Sequence, residues 1–414
     1  MDYLHILHFI ELLIANSEGE TTRYIIRFHH RRDYHRCILL LTVQSTKVPS
    51  HEYVQFLPSI SAIRCNLTNP DCLNDFSDLI LIEEDQVLQL GANFQLPTAG
   101  RPFTRVDISQ RIPWGLAAIQ VPKLWPKTKG QGIRIAIVDT GVDFTHPDIK
   151  SALHRGVNLL NRHQLPMDDN GHGTHIAGTL VASSASFGIR GIAPGASLFP
   201  VKAFDRDGAA YVSDIILAIH WCITNRMNII NMSFGMSTYS PALHNAVKSA
   251  YAQEIVIVAS AGNHGKQNSI DYPARFPQTV AVGATNKGNR IAAFSNQGEF
   301  VDVYAPGEAI YSTWLRGQYN ELSGTSMATA HVSGVIALLL TKKPKLTASR
   351  IKAILTYSAI TLTHMNKKTC PKRGRLNAVR AWILMYRNEK ISQKKVLSTK
   401  SKRSRVALKK SRLY

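Results

Sequence analysis

Between about residues 20 and 90 the chain alternates apolar and polar positions as half-buried strands do, in Tyr24-Ile25-Ile26-Arg27-Phe28, Cys37-Ile38-Leu39-Leu40-Leu41, Ile60 to Leu67 and Leu79-Ile80-Leu81-Ile82. That supply of strands predicts a small α+β domain, assigned to residues 1–90. A stretch with Gly, Pro and Thr and little periodicity follows over 91–108 and reads as a linker. From 109 to 386 the pattern changes to continuous apolar runs alternating with helical spacing, the mark of a parallel sheet covered on both faces. Ile133 to Val138, Asn228 to Met232, Ile255 to Ala259 and Thr279 to Val282 are the predicted strands, with Val212 to Cys222 and Pro241 to Tyr251 as helices between them. The predicted fold class is α/β, a doubly wound parallel sheet, and such sheets place their sites at the carboxyl ends of the strands.

Composition adds limits. The 414 residues are 44% hydrophobic and 19% charged, ordinary for a folded, water-soluble protein of one large domain and one small one. The longest apolar stretch, Ile6 to Ala15, is short and broken by His8 and Glu11, so no membrane partner is expected. It is preceded by Asp2 and His5 instead of lysines and lacks a clean small-x-small site, which predicts a cytoplasmic protein; secretion by an unrecognised route is the alternative. Five cysteines without CxxC spacing suggest neither a disulfide framework nor a zinc site. The net charge is +21, and about half of it comes from residues 387–414, where eleven Lys or Arg face one acid, Glu389. This tail reads as disordered, and is either merely solvated or an anchor for nucleic acid or an acidic surface.

Three segments carry candidate chemistry where such a sheet would place a site. Asp139 ends the first predicted strand in Ile137-Val138-Asp139-Thr140-Gly141; His172 lies in Asn170-Gly171-His172-Gly173-Thr174-His175, before a helix predicted from near Thr174. Ser326 lies in Ser323-Gly324-Thr325-Ser326-Met327-Ala328 and opens the apolar helix Val332 to Leu340. A serine hydroxyl is a weak nucleophile at neutral pH: it needs an imidazole to accept its proton and a buried acid to fix the imidazole's tautomer. A helix N-terminus adds unsatisfied N–H groups where an oxyanion would develop. Asn263, in Ala259-Ser260-Ala261-Gly262-Asn263, follows a predicted strand and offers a side-chain amide as second donor. Each segment alone is commonplace; the four together, in the order Asp, His, Asn, Ser, are specific.

Asp139-Thr140-Gly141, His172-Gly173-Thr174-His175 and Gly324-Thr325-Ser326-Met327-Ala328 resemble the three signature blocks of the subtilisin family of serine peptidases. The resemblance runs from Gln110 to Ala378 and implies a subtilisin fold and a serine endopeptidase, which hydrolyses proteins or peptides through an acyl-enzyme; a monomer is expected. One departure is Ala330, where the family usually has proline. His175 and His331 read as packed helix residues, because no second ligand stands at a metal spacing. By the same resemblance, substrate would lie as an added strand between Asp207-Gly208-Ala209-Ala210 and Ser233-Phe234-Gly235. The pocket before the cut bond would be walled by Ser260-Ala261-Gly262 and by Ser269 to Pro273. Within it, Asp271 either points inward and favours Arg or Lys, or sits solvated at the rim.

The amino-terminal domain, with Leu79 to Ile82 leading into Glu83-Glu84-Asp85, resembles the inhibitory propeptide of these enzymes and would act as an intramolecular inhibitor and folding template. Self-cleavage is then expected between Leu90 and Ser109, with Leu90 suggested by resemblance and Arg105 by an acidic pocket; a permanent regulatory domain is the alternative. The resemblance also implies a structural Ca²⁺ at Gln110, Asp148 and the loop carrying Ser183, Phe187 and Ile189, weakened because Ala185 stands where the family supplies an asparagine. Two other functions compete: a basic binding protein that uses the fold as a scaffold, and an esterase using the same triad.

Overall fold

The computed structural model describes residues 3–17, 20–44, 54–90, 112–183, 188–362 and 374–387. In the amino-terminal part, helices α1 (Tyr3–Ala15) and α2 (Arg31–Gln44) cover a four-stranded antiparallel sheet in the order β2 (Val54–Leu57), β3 (Ala62–Leu67), β1 (Thr22–Phe28), β4 (Ile80–Glu84). Strand alternation splits its side chains between two cores. Ile26, Phe28, Ile63 and Cys65 pack with Ile6, Phe9, Ile10 and Leu13 of α1. Ile25, Leu57 and Ala62 face the other way and join the apolar cluster of the large domain.

Cys37 to Leu41, expected as a strand, lies inside α2. A five-residue apolar run has no period of its own, and the flanking sequence decides it: Asp33 occupies the first helical turn, and Tyr34, Cys37, Leu40 and Leu41 are buried at helical spacing. The other expected strands of this region are close to β1, β3 and β4.

The large domain is built on a nine-stranded sheet, preceded by the short helix α3 (Trp114–Ala118). Strands β6 (Arg134–Asp139), β7 (Val157–Asn158), β8 (Ser197–Lys202), β10 (Ile229–Met232), β11 (Val256–Ser260), β12 (Thr279–Thr285) and β13 (Val303–Pro306) run parallel, and β16 (Ile360–Thr361) and β17 (Gly374–Arg375) close one edge. The order is β16-β17-β13-β12-β11-β10-β6-β8-β7. Its central strands are buried on both faces, which is why they read as unbroken apolar runs.

One face carries α4 (His172–Val181) and α7 (Thr325–Lys342), the other α5 (Val212–Thr224) and α6 (Pro241–Tyr251). All of α7 from Thr325 to Leu340 is buried, as befits the helix at the centre of a core. Local chemistry fixes the ends: Ser240 caps α6 by accepting from the Leu243 N–H at 3.0 Å, with Pro241 preset at the first helical position. Among the described residues no helix is long and apolar enough to cross a membrane. The cysteines at 37, 65, 72 and 222 are free, and Cys370 lies outside the described residues. Burial pushes the Cys37 and Cys65 thiols up to about 12, so they are inert.

The small sheet rests on α5 and α6, and two acids of the small domain cap those helices. Asp85 accepts from the Ser213 N–H at 2.9 Å and its hydroxyl at 2.8 Å, while Arg23 binds the same carboxylate at 3.0 Å and stacks on Tyr211. Glu83 accepts from the Ser240 hydroxyl at 2.6 Å and the Ala242 N–H at 3.1 Å. Orphan N–H groups at a helix start thereby receive carboxylates from another domain.

Candidate active site

Asp139 ends β6 wholly buried, and its carboxylate lies against the His172 Nδ1, at 2.8 Å from Oδ1 and 3.0 Å from Oδ2. Oδ1 also accepts from the Thr140 N–H at 2.8 Å. His172 opens α4, two residues earlier than expected. The turn before it depends on glycine: Gly171 has φ 110°, and a side chain at Gly173 would collide with the Gly141 carbonyl.

Asp168 organises this corner, and sequence reasoning missed it. Its Oδ1 accepts from the Thr140 hydroxyl at 2.8 Å and from the N–H groups of Asn170 and Gly171 at 3.0 and 2.9 Å. Its Oδ2 accepts from the Thr174 N–H at 2.9 Å and hydroxyl at 2.6 Å. Asp168 therefore caps α4 from outside the helix and ties it to the segment after β6. Buried Lys202 also went unread; its Nζ donates to the Thr140 carbonyl and to Asp169 Oδ1, both at 2.6 Å.

Ser326 is the second residue of α7, among the N–H groups that lack a helical partner. Its hydroxyl donates to the Ser233 carbonyl at 2.8 Å. Asn263 follows β11, and its Oδ1 accepts from the Thr325 N–H at 2.9 Å and hydroxyl at 2.8 Å. This grip turns the amide nitrogen towards α7: one point beside Gly324, where a Cβ would stand, lies 3.5 Å from Asn263 Nδ2 and 3.7 Å from the Ser326 nitrogen. Two N–H donors thus approach one small volume at a helix N-terminus.

The cleft leading to Ser326 is occupied by the chain itself. Strand β5 (Val87–Gln89) pairs antiparallel with β9 (Ala209–Tyr211), Leu90 donates to the Gly208 carbonyl at 2.9 Å, and Gln89 bridges Gly235. Gly208 and Ala209 thus lie on one side of this strand and Gly235 on the other, Ser233 and Phe234 line the adjoining cavity, and Leu88 and Leu90 are buried. A cavity of about 310 Å³ beside this strand is lined by Ser326, Ser233, Gly235, Ser260, Gly262 and Asp271 among others. Ala261 is buried behind it, and its carbonyl accepts from the Asp271 N–H at 3.1 Å. Burial raises the Asp271 carboxyl above its ordinary range, with His264 and Lys266 opposing.

His175 and His331 are fully buried, and burial pushes them down to about 3 and about 4, so both are neutral; each bonds a backbone carbonyl, of Ile310 and Met327. Of the residues implied for calcium, Gln110 and Phe187 lie outside the described residues, as do Ala185, residue 105 and the rest of the linker. Asp148 is buried beside Ser183 and Ile189, but its Oδ2 already accepts from the Ile189 N–H and the Tyr319 hydroxyl, both at 2.9 Å. Ser183 gives its N–H to the Asp148 carbonyl at 2.8 Å. No group of three His, Cys, Asp or Glu poised for a metal occurs among the described residues.

A buried acid on an imidazole, a serine at a helix start and paired N–H donors, all at the carboxyl edge of a doubly wound sheet, define a serine hydrolase. The profile of the Subtilase family matches residues 130–395. Subtilisin E of Bacillus subtilis (strain 168) is 41% identical over 258 residues, which are 61% of this chain and 67% of that protein. Subtilisin DY of Bacillus licheniformis is 40% identical over 258 residues, 61% of this chain and 93% of that protein. The thermostable alkaline protease of Halalkalibacterium halodurans is 38% identical over 277 residues, 67% and 75% of the two. The chain belongs to the subtilase family and is a subtilisin-type serine endopeptidase acting on protein substrates.

Proposed function

We propose that Ser326 is the nucleophile, His172 the general base and then acid, Asp139 the residue that holds His172, and Asn263 with the Ser326 N–H the oxyanion donors. For attack, the Ser326 hydroxyl leaves the Ser233 carbonyl for the imidazole and its oxygen bonds to the substrate carbonyl carbon as His172 takes the proton. Asp139 keeps the proton on Nδ1 and balances the imidazolium. His172 then protonates the leaving amine, and a water repeats the sequence on the acyl-enzyme.

The observation that carries this reading is β5, a strand of the protein's own chain added to the cleft in the register of a bound peptide. We further propose that the amino-terminal domain is an inhibitory propeptide and that the enzyme removes it. Gln89 is opposite Gly235, and the same antiparallel register continued by two residues, beyond the described ones, would bring residue 91 to Ser233, whose carbonyl holds the Ser326 hydroxyl. In that register the bond offered to Ser326 follows residue 91 instead of Leu90. A calcium ion at Asp148 would be held by one carboxylate already engaged by two donors, so the described residues fit it poorly and no step depends on it.

The test is labelling and end-sequencing of the purified full chain. A fluorophosphonate should label Ser326, and the mature protein should begin at Ala92, or later up to Ser109 after trimming. The Ser326→Ala protein should remain full length and unlabelled. A wild-type protein that keeps Met1 with full activity would refute processing. One that is unlabelled but binds DNA in a salt-sensitive way would refute catalysis in favour of the scaffold reading.

A further inference from the structure

We propose that Asp271 makes this cleft prefer, in separate protein substrates, an arginine or lysine side chain immediately before the bond that is cut; the bond after Gly91 is presented by the tethered chain itself and does not depend on that preference. The inference rests on the endopeptidase reading above and names the substrate class of the same site.

Asp271 is 7% exposed and shares the cavity of about 310 Å³ with Ser326. Two glycines fix where its carboxylate points. A Cβ on Gly262 would collide with Asp271 Oδ2, and one on Gly235 would lie 3.1 Å from that oxygen and 2.7 Å from the Asp271 Cβ. Oδ2 therefore stands in the gap between the segments that follow β10 and β11. That gap borders Ser233, which faces the substrate residue next to the nucleophile, so a side chain from this residue enters towards Oδ2.

The carboxylate is under-compensated where it stands. Oδ1 has one long hydrogen bond, from Asn296 Nδ2 at 3.4 Å. His264 Nδ1 lies 3.9 Å from Oδ2, on a side chain 41% exposed. Lys266 lines the same cavity without forming an ion pair to Asp271 among the described residues. An apolar substrate side chain would close the cavity and strip water from an acid held by only one long hydrogen bond and a distant imidazole, which is costly. A guanidinium or ammonium group would instead supply a charge-assisted hydrogen bond to Oδ2.

The experiment measures kcat/KM for matched peptides with Arg, Lys, Phe or Leu before the cut bond, on wild type and Asp271→Asn. Fluorophosphonate titration counts the competent Ser326 in each preparation, so misfolded protein does not enter the ratio. Wild type should favour Arg and Lys. Asp271→Asn should lower those two by about 10- to 100-fold and raise Phe and Leu, because a hydrogen bond to a charged group is lost while a buried charge is removed. Asp271→Lys should shift the preference to Glu. Equal change for all four peptides, or a wild type that favours Phe and Leu, overturns the proposal and leaves the endopeptidase intact. Absence of labelling overturns both.

Discussion

Two buried aspartates stand near the same cleft in different surroundings, Asp139 wholly enclosed against His172 and Asp271 on the cavity wall. Asp139 meets an imidazole at 2.8 Å and a backbone N–H at 2.8 Å, and the corner around it is locked by five hydrogen bonds to Asp168. Asp271 has one hydrogen bond, 3.4 Å long, an imidazole 3.9 Å away on the exposed side chain of His264, and a cavity in front of it. The first carboxylate is satisfied by the fold and, in the proposed mechanism, acts through its neighbour. The second, in the proposed reading, is left for a cation from the substrate. Burial alone does not separate a positioning acid from a recognising one; the partners do.

The comparison is broken most severely at Asp139. Asp139→Asn should lower kcat by about 10⁴-fold, through the wrong imidazole tautomer, and by the same factor for Arg and Phe peptides. A factor that varied with the peptide would give Asp139 a share in recognition. Asn263→Ala should cost about 10²- to 10³-fold in kcat, the size found in subtilisin for the equivalent kind of donor, again irrespective of the side chain.

A pH titration of selectivity sharpens the Asp271 side. Burial raises this carboxyl, whereas His264 and Lys266, the charged groups facing it, pull it down and do not cancel the rise. Its anion is the form that binds a cation. The Arg-to-Phe ratio should therefore be full above the raised value and fall as pH drops through it, at a pH higher than a solvated Asp would show. A flat ratio down to the ordinary aspartate range would contradict this. The smallest effect is expected from EDTA. A cation at Asp148 competes with the Ile189 N–H and the Tyr319 hydroxyl, so removing calcium should lower Tm by no more than about 4 °C, the equivalent of about 1 kcal/mol.

Much of this was legible in the residues. Asp139 announced itself by ending an apolar run, and Ser326 by preceding another, because a parallel sheet buries its strands and offers only their carboxyl ends to solvent. Cys37 to Leu41 misled, since five apolar residues fit a strand and a buried helix equally well. Asp168 was invisible because its partners Thr140 and Thr174 stand 28 residues before it and 6 after it, and only the folded corner brings them together. The direction of Asp271 could not be read either, for it is set by two glycines that lie 36 and 9 residues before it in the chain.

If the amino-terminal domain is the inhibitory propeptide proposed above, strand β5 also decides how the enzyme is switched on. While the link to the rest of the chain is intact, the blocking segment is present at a local concentration on the order of millimolar, whatever the amount of protein in the tube. Dilution cannot relieve it. Once the bond is cut, the small domain becomes a separate molecule, held by Asp85, Glu83 and Arg23 at its contact with α5 and α6. Activity from then on depends on how far the mixture is diluted below that contact's Kd, so severing the chain and gaining activity are separate events in time.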